Sequence, residues 1–556
     1  MSIGSFVLML HSHLPYYRKA GMWPFGEENF YECMAETYIP LLNMIRELWD
    51  EGIPANITVG ITPILSEQMA DEHLKAGFIK FVEGRIEAAQ KDEERFNRRG
   101  SSPNPISLHL AKFYHTWYQG ILDDFTKRYN QDVIAGFKKY QDLGAIEITT
   151  SAATHGFSPL LATDSSLYGQ FRTGVESYKK HFGKSPKGVW LPECAYRPAQ
   201  GNRPAIEKWL YDNDLKYFFT ESYVIKGGKN AKTRRDFGPY GSIEYLPMQD
   251  LPATGHETFE AYYLKDYPVA VMGRHEEAGF RVWSAEHGYP GDSNYREFHK
   301  KDDKSGLHYW KLTSKNTDLG DKETYSPEAA FSRIHENSDH YVGLIQQLLT
   351  DHLKTTGKPG LIMVSFDTEL FGHWWFEGIA WMKEVIRKLN NYTAVTMCTA
   401  SQYLEANPPS TAIELPESSW GAGGHFEVWL NDQTRWMWPL IHECEHIMEN
   451  LAVQANSKYG QVDSKSLSGR ALTQLARELL LVQSSDWPFL ITTGQATEYA
   501  TKRFNEHYRR FHTLAEMIEK GNFDEAAIKQ IEDIDNCFEK VDVSWFEPQT
   551  ATSLAS

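Results

Sequence analysis

The chain has 556 residues, enough for two or three domains around a large core. Its formal net charge of −17 argues against nucleic acid and anionic membrane surfaces as partners, while a neutral polymer would not be repelled. The N-terminus has no basic stretch leading into a long apolar region and no run long enough to span a bilayer, so a cytoplasmic soluble protein is expected. Aromatic content of 13%, with 16 Trp, suits stacking on sugar rings, although most such rings in any protein are core. The cysteines (Cys33, Cys194, Cys398, Cys444 and Cys537) are scattered and odd in number, giving neither a disulfide framework nor a metal spacing.

Ser5 to Leu10 reads as a short apolar strand that delivers His11 and His13 to one face. Two same-facing histidines can bind a metal, but without a nearby Cys or Asp the signal is modest. Met34, Tyr38, Leu41, Ile45, Leu48 and Trp49 recur at helical steps, with Pro40 beginning or kinking the helix and Gly52 ending it. Asn56 to Thr62 reads as a strand, and strand–helix–strand alternation predicts a parallel sheet with covering helices. Leu65 to Leu143 is helical and charged, an excursion between strands. Ala145 to Thr150 is the next strand, ending near His155, and Leu160 to His181 a covering helix.

Val189 to Leu191 is a short buried strand stopped by Pro192. Alternation puts Glu193 on the face of Val189 and Leu191, where a carboxylate needs a partner or a task. Capping a helix or pairing with Arg197 would serve equally. Cys194 then points the other way, as a small packed thiol rather than a nucleophile. Lys216 to Thr220 is a further strand, and Lys226 to Tyr325 loses periodicity and fills with Gly, Pro and Tyr, as long functional connections do. Pro327 to Thr350 is a long amphipathic helix. Gly360 to Asp367 is a buried strand on which Ser365, Asp367 and Glu369 share a face, followed by His373 and two tryptophans. Two strands each carrying an acid to the C-terminal end is the arrangement of a barrel active site, and paired carboxylates beside aromatic rings suit glycosidic-bond chemistry. Thr393 to Cys398 reads as the last barrel strand, Pro408-Pro409 as a boundary, and helices follow.

His11-Ser12-His13-Leu14-Pro15-Tyr16, Thr154-His155-Gly156-Phe157, Trp190-Leu191-Pro192-Glu193-Cys194-Ala195-Tyr196, Ser365-Phe366-Asp367-Thr368-Glu369-Leu370-Phe371-Gly372-His373, Trp420-Gly421 and Ser485-Asp486-Trp487-Pro488 occur in this order. Together they resemble glycoside hydrolase family 57, and within it the 1,4-alpha-glucan branching enzymes. The resemblance implies an α/β fold, an incomplete (β/α)7 barrel with helical insertions and a C-terminal helical domain. Residues 1–410 would form the barrel, with a helical insertion near 65–143 and a loop-rich one near 226–325. Residues 411–545 would complete the cleft, and 546–556 would be a tail. It implies a retaining transglycosylase that cleaves alpha-1,4-glucan and passes the chain to a 6-hydroxyl. Alpha-amylase or 4-alpha-glucanotransferase is the alternative within the family.

Glu193 is then the nucleophile and Asp367 the general acid/base, with carboxyl groups roughly 5 to 5.5 Å apart. Glu369 is a rival acid that alternation does not exclude. The resemblance makes His11, His13 and His155 hydrogen-bond donors to the sugar. It makes Trp23, Tyr240, Arg274, Trp283, Trp420, Trp429 and Asp486 further substrate contacts. Tyr240 would stand at the tip of a loop covering the site. His275 follows Gly273-Arg274 where an acidic residue is more usual. Neither metal nor organic cofactor is implied; the partner is an alpha-glucan such as amylose, amylopectin or glycogen, and the protein a monomer or small homo-oligomer.

Overall fold

The computed structural model describes the chain apart from residues 1, 23, 98–104, 229–234, 237–241, 244–250, 284–287, 315, 460–462 and 550–556. Its strands are β1 (Gly4–Ser12), β2 (Ile57–Ile61), β3 (Ile146–Ser151), β4 (Val189–Trp190) and β5 (Tyr217–Thr220), then the short pair β6 (Arg235–Asp236) and β7 (Ser242–Ile243), then β8 (Ala261–Leu264), β9 (Ala270–Gly273), β10 (Gly360–Asp367), β11 (Val395–Met397) and β12 (Ala412–Ile413). Parallel pairing runs in the order β10-β1-β2-β3-β4. A parallel bridge from Gly188 to Tyr217 leads to β5, which pairs in parallel with β9. Among the described residues the ring returns to β10 through one backbone bond, His275 N–H to the Met363 carbonyl at 2.7 Å, and the Arg274 guanidinium on the Ser365 carbonyl at 3.4 Å, rather than a ladder. This is the incomplete seven-stranded α/β barrel.

One ring strand departs from the expectation. β9 lies inside the Lys226–Tyr325 stretch read as a patternless connection, whereas β11, expected as the last barrel strand, pairs only with the first three residues of β1. β9 is four residues long, too short to establish a period.

Alternation fills the barrel. Val7 and Met9, Tyr217 and Phe219, Ala270 and Met272, and Leu361 and Met363 pack with Trp190 inside it. The residues between them on β1 and β10 (Phe6, Leu8 and Leu10; Ile362, Val364 and Phe366) join the cluster shared with the surrounding helices. Strands buried on both faces read as continuous apolar runs, which is how the sequence presents them. Following each inward row to the C-terminal end of its strand, or one residue beyond it, leads to His11, Glu221, Arg274 and Asp367, and all four line one cavity.

Helix ends follow their local chemistry. The helix Pro327–Thr356 starts where Ser326 Oγ accepts the Ala329 N–H and stops at left-handed Gly357 (φ 72), six residues beyond the expected Thr350. The helix expected around Met34 to Trp49 is interrupted. A π-turn at Met34–Tyr38 precedes the helix Ile39–Asp50, with the Ile39 N–H reaching the Met34 carbonyl. Pro40 has no N–H to offer the Glu36 carbonyl, so the regular ladder fails there.

The π-turn supports the site. The carboxylate of Glu36, buried, takes Arg296 Nη1 and Nη2 at 3.1 and 3.0 Å and faces His373 Nδ1 at 3.3 Å. Burial alone would raise its pKa, but the Arg296 charge and the His373 contact outweigh that and hold it below the usual carboxylate range. Removing one partner of a buried pair strands the other, so Arg296→Ala should lower unfolding stability by about 3 to 5 kcal/mol at neutral pH in denaturant titration. A change within about 1 kcal/mol would rule out that the pair is tightly coupled.

The helices Met437–Tyr459, Leu467–Val482, Asp486–Thr492, Thr497–Lys520 and Glu525–Ile534 follow the barrel. Leu472, Leu475, Leu479 and Trp487 belong to the same apolar cluster as Val189, Leu191 and Phe157. That shared core presses the link between the second and third of these helices, Gln483 to Ser485, against the β3–β4 end of the barrel.

Candidate active site

The cavity at the C-terminal strand ends has a volume of about 810 Å³, the size of a site for a ligand larger than one sugar ring. Glu193 and Asp367 both line it.

Glu193 does not arrive by strand alternation. β4 ends at Trp190, and Val189 and Leu191 pack outside the barrel, so the expected shared face is wrong. Pro192–Cys194 forms a 3-10 turn in which Glu193 is left-handed, φ 61 and ψ 25. A non-glycine residue there costs about 1 to 2 kcal/mol, strain of the kind that gathers at functional sites. Its neighbour Cys194 is buried inside the barrel as the packed thiol expected.

Once turned inward, Glu193 is held at both oxygens. Trp420 Nε1–H donates to Oε2 at 2.7 Å and Ser485 O–H to Oε1 at 3.1 Å, while Trp420 N–H bonds the Glu193 carbonyl at 3.0 Å. Burial pushes its pKa up to about 7, against the Trp420 bond, the His13 charge and the Ser485 bond; Asp486 adds to the rise.

Asp367 sits differently. Among the described residues no donor bonds its carboxyl. Burial raises its pKa well above the ordinary value, the charges of Glu369 and Glu193 add to this, and Arg274 opposes them. Arg274 is itself committed to Glu221, 2.7 Å away. Glu369, the rival acid, uses Oε1 to accept both the Tyr38 hydroxyl and the His13 N–H (3.2 Å from the nitrogen), and burial pushes it up to about 7.

The three histidines line the cavity, but not as open donors. His13 Nε2 meets Asp486 Oδ1 at 3.0 Å and Nδ1 meets Thr62 Oγ1 at 3.2 Å. Burial would lower the His13 pKa, but Asp486, with Glu193 and Glu369, outweighs it and raises the value. His11 Nε2 and His155 Nε2 are 3.1 Å apart, and His155 Nδ1 lies 2.9 Å from Ser485 Oγ. The rings of His13 and His155 stack at 4.0 Å, and His11 stacks on Trp190 at 4.7 Å. Burial, then the neighbouring imidazoles, depress both His11 and His155, which are therefore neutral at pH 7. Donation to a sugar would require breaking one of these contacts at His13 or His155.

Arg274, Trp283, Trp420 and Asp486 line the cavity as well. Trp429 does not. It is buried, stacked on Phe157 at 4.4 Å and close against Gly421, which corrects its assignment as a glucan contact. Trp23 and Tyr240 lie outside the described residues. His275, the unexpected residue after Arg274, lines the cavity, and burial followed by the Lys226 charge pushes it down to about 4. Three contributors go unrecognised in the sequence. Glu221 needs only one more step along β5. Tyr38 has no local signal, and Ser485 stands in the Ser485-Asp486-Trp487-Pro488 motif without a role of its own; they meet their carboxylates from 331 and 292 positions away.

Residues 7–416 match the model of Glycosyl hydrolase family 57, and residues 440–546 that of the C-terminal part of 1,4-alpha-glucan branching enzymes. A 1,4-alpha-glucan branching enzyme of Thermococcus kodakarensis is 41% identical over 99% of this chain and 80% of its own. A crystal structure of a branching enzyme from that organism aligns with TM-score 0.89 at 40% identity, covering 100% of this chain and 98% of the other. The corresponding figures for a branching enzyme of Pyrococcus horikoshii are 0.86, 37%, 100% and 99%. For an alpha-amylase of Thermotoga maritima they are 0.83, 30%, 99% and 100%.

Proposed function

Because the chain belongs to glycosyl hydrolase family 57, we propose that its cavity works as a retaining 1,4-alpha-glucan branching site with Glu193 as nucleophile and Asp367 as acid/base. The observation that carries the assignment is the contrast between two partly exposed carboxyls on one cavity. Glu193 receives two hydrogen bonds and the field of His13, which stabilise an anion. Asp367 receives none among the described residues, which favours a neutral acid able to give up a proton. Of the two, Glu193 is the better held as the anion and Asp367 the better suited to keep a proton.

In the first step a Glu193 oxygen bonds to the anomeric carbon of an alpha-1,4-linked glucose, the glycosidic bond breaks, and the Asp367 proton goes to the departing oxygen. In the second, Asp367, now a base, takes the proton of an acceptor 6-hydroxyl. That oxygen displaces Glu193, leaving an alpha-1,6 bond and both residues in their starting states.

Arg274, Trp283, Trp420 and Asp486 serve as substrate contacts, and the polymer is an amylose- or glycogen-like alpha-glucan. Residues 1–410 act as the catalytic barrel, and 411–545 as the helical domain that completes the cleft. Buried thiols at Cys33, Cys194, Cys398, Cys444 and Cys537 suit a reducing cytoplasm. No helix of the described residues is long and apolar enough to cross a membrane.

Incubation with amylose followed by a debranching enzyme tests the reaction. New short chains released only after debranching are expected. Reducing ends without branches would identify an alpha-amylase instead, and linear rearranged chains a 4-alpha-glucanotransferase.

A further inference from the structure

Glu193, Ser485, His155 and His11 form an unbroken series of contacts. Ser485 Oγ is 3.1 Å from Glu193 Oε1, His155 Nδ1 is 2.9 Å from Ser485 Oγ, and His11 Nε2 is 3.1 Å from His155 Nε2. Ser485, His155 and His11 are buried. At the far end, His11 Nδ1 is buried without a partner among the described residues. Each link holds one proton, so the series runs in one of two directions.

In one direction His11 Nε2–H donates to His155 Nε2, His155 Nδ1–H donates to Ser485 Oγ, and the Ser485 O–H donates to Glu193. The orphan at His11 Nδ1 is then a bare lone pair. In the other, His155 Nε2–H donates to His11 and the Ser485 hydroxyl turns to His155. That leaves an unpartnered N–H buried at His11 Nδ1 and sets the Ser485 oxygen against an ionised Glu193. A buried N–H without an acceptor is the costlier orphan, because a donor leaves water only at the loss of a strong bond. A protonated Glu193 that donates to Ser485 forces this second direction along the whole series. The far end of the chain therefore biases the near one.

We propose that Ser485 is a positioning residue which, at the end of a one-way hydrogen-bond series rooted at His11, keeps Glu193 ionised and aimed at the anomeric carbon. This rests on Glu193 being the nucleophile. The backbone supports the arrangement independently: Ser485 N–H bonds the His155 carbonyl at 3.2 Å, and Gly156 pairs with Ser484 in an antiparallel bridge. His155, like Glu193, holds a left-handed backbone conformation (φ 58) to reach its place. Two loops from distant parts of the chain are pinned together at the residue whose hydroxyl meets the nucleophile. Ser485 touches Glu193 and His155 and is assigned no contact with the sugar.

The other charged or titratable groups around Glu193 are His155, whose Nδ1 lies 3.7 Å from Glu193 Oε1, His13, which favours its anion, and Asp486 and Asp367, which disfavour it. The charges of His13, Asp486 and Asp367 stay in place when Ser485 is changed, while His155 loses its Ser485 partner in the alanine variant; the comparison of alanine with threonine, which returns a hydroxyl to both neighbours, therefore reads the hydroxyl's effect on the acidic limb. The test compares Ser485→Ala, Ser485→Cys and Ser485→Thr with wild type and Glu193→Gln, using amylose and measuring kcat and KM from acid to alkaline pH.

Loss of a donor to the carboxylate raises its pKa, so the acidic limb of kcat/KM should move up by about 0.5 to 1 pH unit in Ser485→Ala. At optimal pH, kcat should fall about 10- to 100-fold with KM within about threefold, as for an interaction used in the transition state. Ser485→Thr should restore the limb, and Ser485→Cys, a weak donor that keeps the volume, should fall between. If the alanine variant does not fold, the order cysteine then threonine carries the same comparison. An unmoved acidic limb in the alanine and cysteine variants would overturn the role of Ser485. Persistent activity in Glu193→Gln would instead overturn the assignment of the nucleophile beneath it.

Discussion

Glu193→Gln should abolish both transfer and hydrolysis of amylose, lowering kcat by on the order of 10⁴-fold or more, because the amide that replaces the proposed nucleophile cannot form the glycosyl ester. The change is nearly isosteric. The Gln carbonyl can still accept the Trp420 N–H, and its amide can donate to Ser485 Oγ, which turns the Ser485 hydroxyl toward His155 as a protonated Glu193 would. Azide with alpha-glucosyl fluoride then tells what was lost. In Glu193→Ala, which unlike the isosteric Gln leaves room beside the sugar, azide enters from the vacated face and gives the beta-azide, the inverted product. An inactive variant that yields no beta-azide, or yields the alpha-azide, would remove Glu193 from the role of nucleophile.

The glutamine substitution also carries a stability signature. Glu193 is raised from 4.5 to about 7 in the fold, so between those values the native state binds a proton that the unfolded chain has released. The contribution of Glu193 to wild-type stability therefore falls as pH rises from about 4.5 to 7, by on the order of 3 kcal/mol for a shift of that size. The uncharged amide of Glu193→Gln has no such dependence. The variant should match wild type near pH 4 and exceed it above pH 7, the usual exchange of stability for function at a catalytic charge.

How much of this is legible in the sequence depends on whether a residue lies on an intact row. Asp367 is readable because Leu361, Met363 and Ser365 precede it on the same face of β10, and nothing interrupts the alternation before the cavity. His11 follows Val7 and Met9 on β1 in the same way. Glu193 stands out in the sequence for an incomplete reason. Its row, with Val189 and Leu191, leads outside the barrel, and only the left-handed turn after Pro192 brings it back, a conformation that a Glu in sequence does not advertise.

Trp429 shows the opposite error. A tryptophan near the site invites assignment to the sugar, but Phe157 offers it a protein ring instead, and the sequence does not distinguish a stacked partner in the core from a ligand. The histidines are placed correctly by the sequence but given incomplete partners, because their nitrogens are engaged by Thr62, Ser485 and Asp486 from other segments. What lies beyond the sequence is mostly tertiary pairing across hundreds of residues, not the chemistry of the groups.

Asp367→Asn separates the acid from its rival. Cleavage of amylose should fall about 10²- to 10⁴-fold, the usual worth of a positioned proton donor to a poor leaving group. Alpha-glucosyl fluoride needs little protonation, so glycosylation of Glu193 should stay fast and the ester should accumulate. Azide then releases it as the alpha-azide, with retention, since attack follows the first inversion. Glu369→Gln should behave otherwise. Its carbonyl can still accept Tyr38 and the His13 N–H, but the charge that helps raise Asp367 is gone. Asp367 then loses its proton at lower pH, so the alkaline limb should move down by about 1 pH unit while peak activity stays within about tenfold of wild type. If Glu369→Gln instead fails on amylose and recovers on the fluoride, while Asp367→Asn stays near wild type, Glu369 is the acid. The absence of donors around Asp367 would then mark a structural carboxyl.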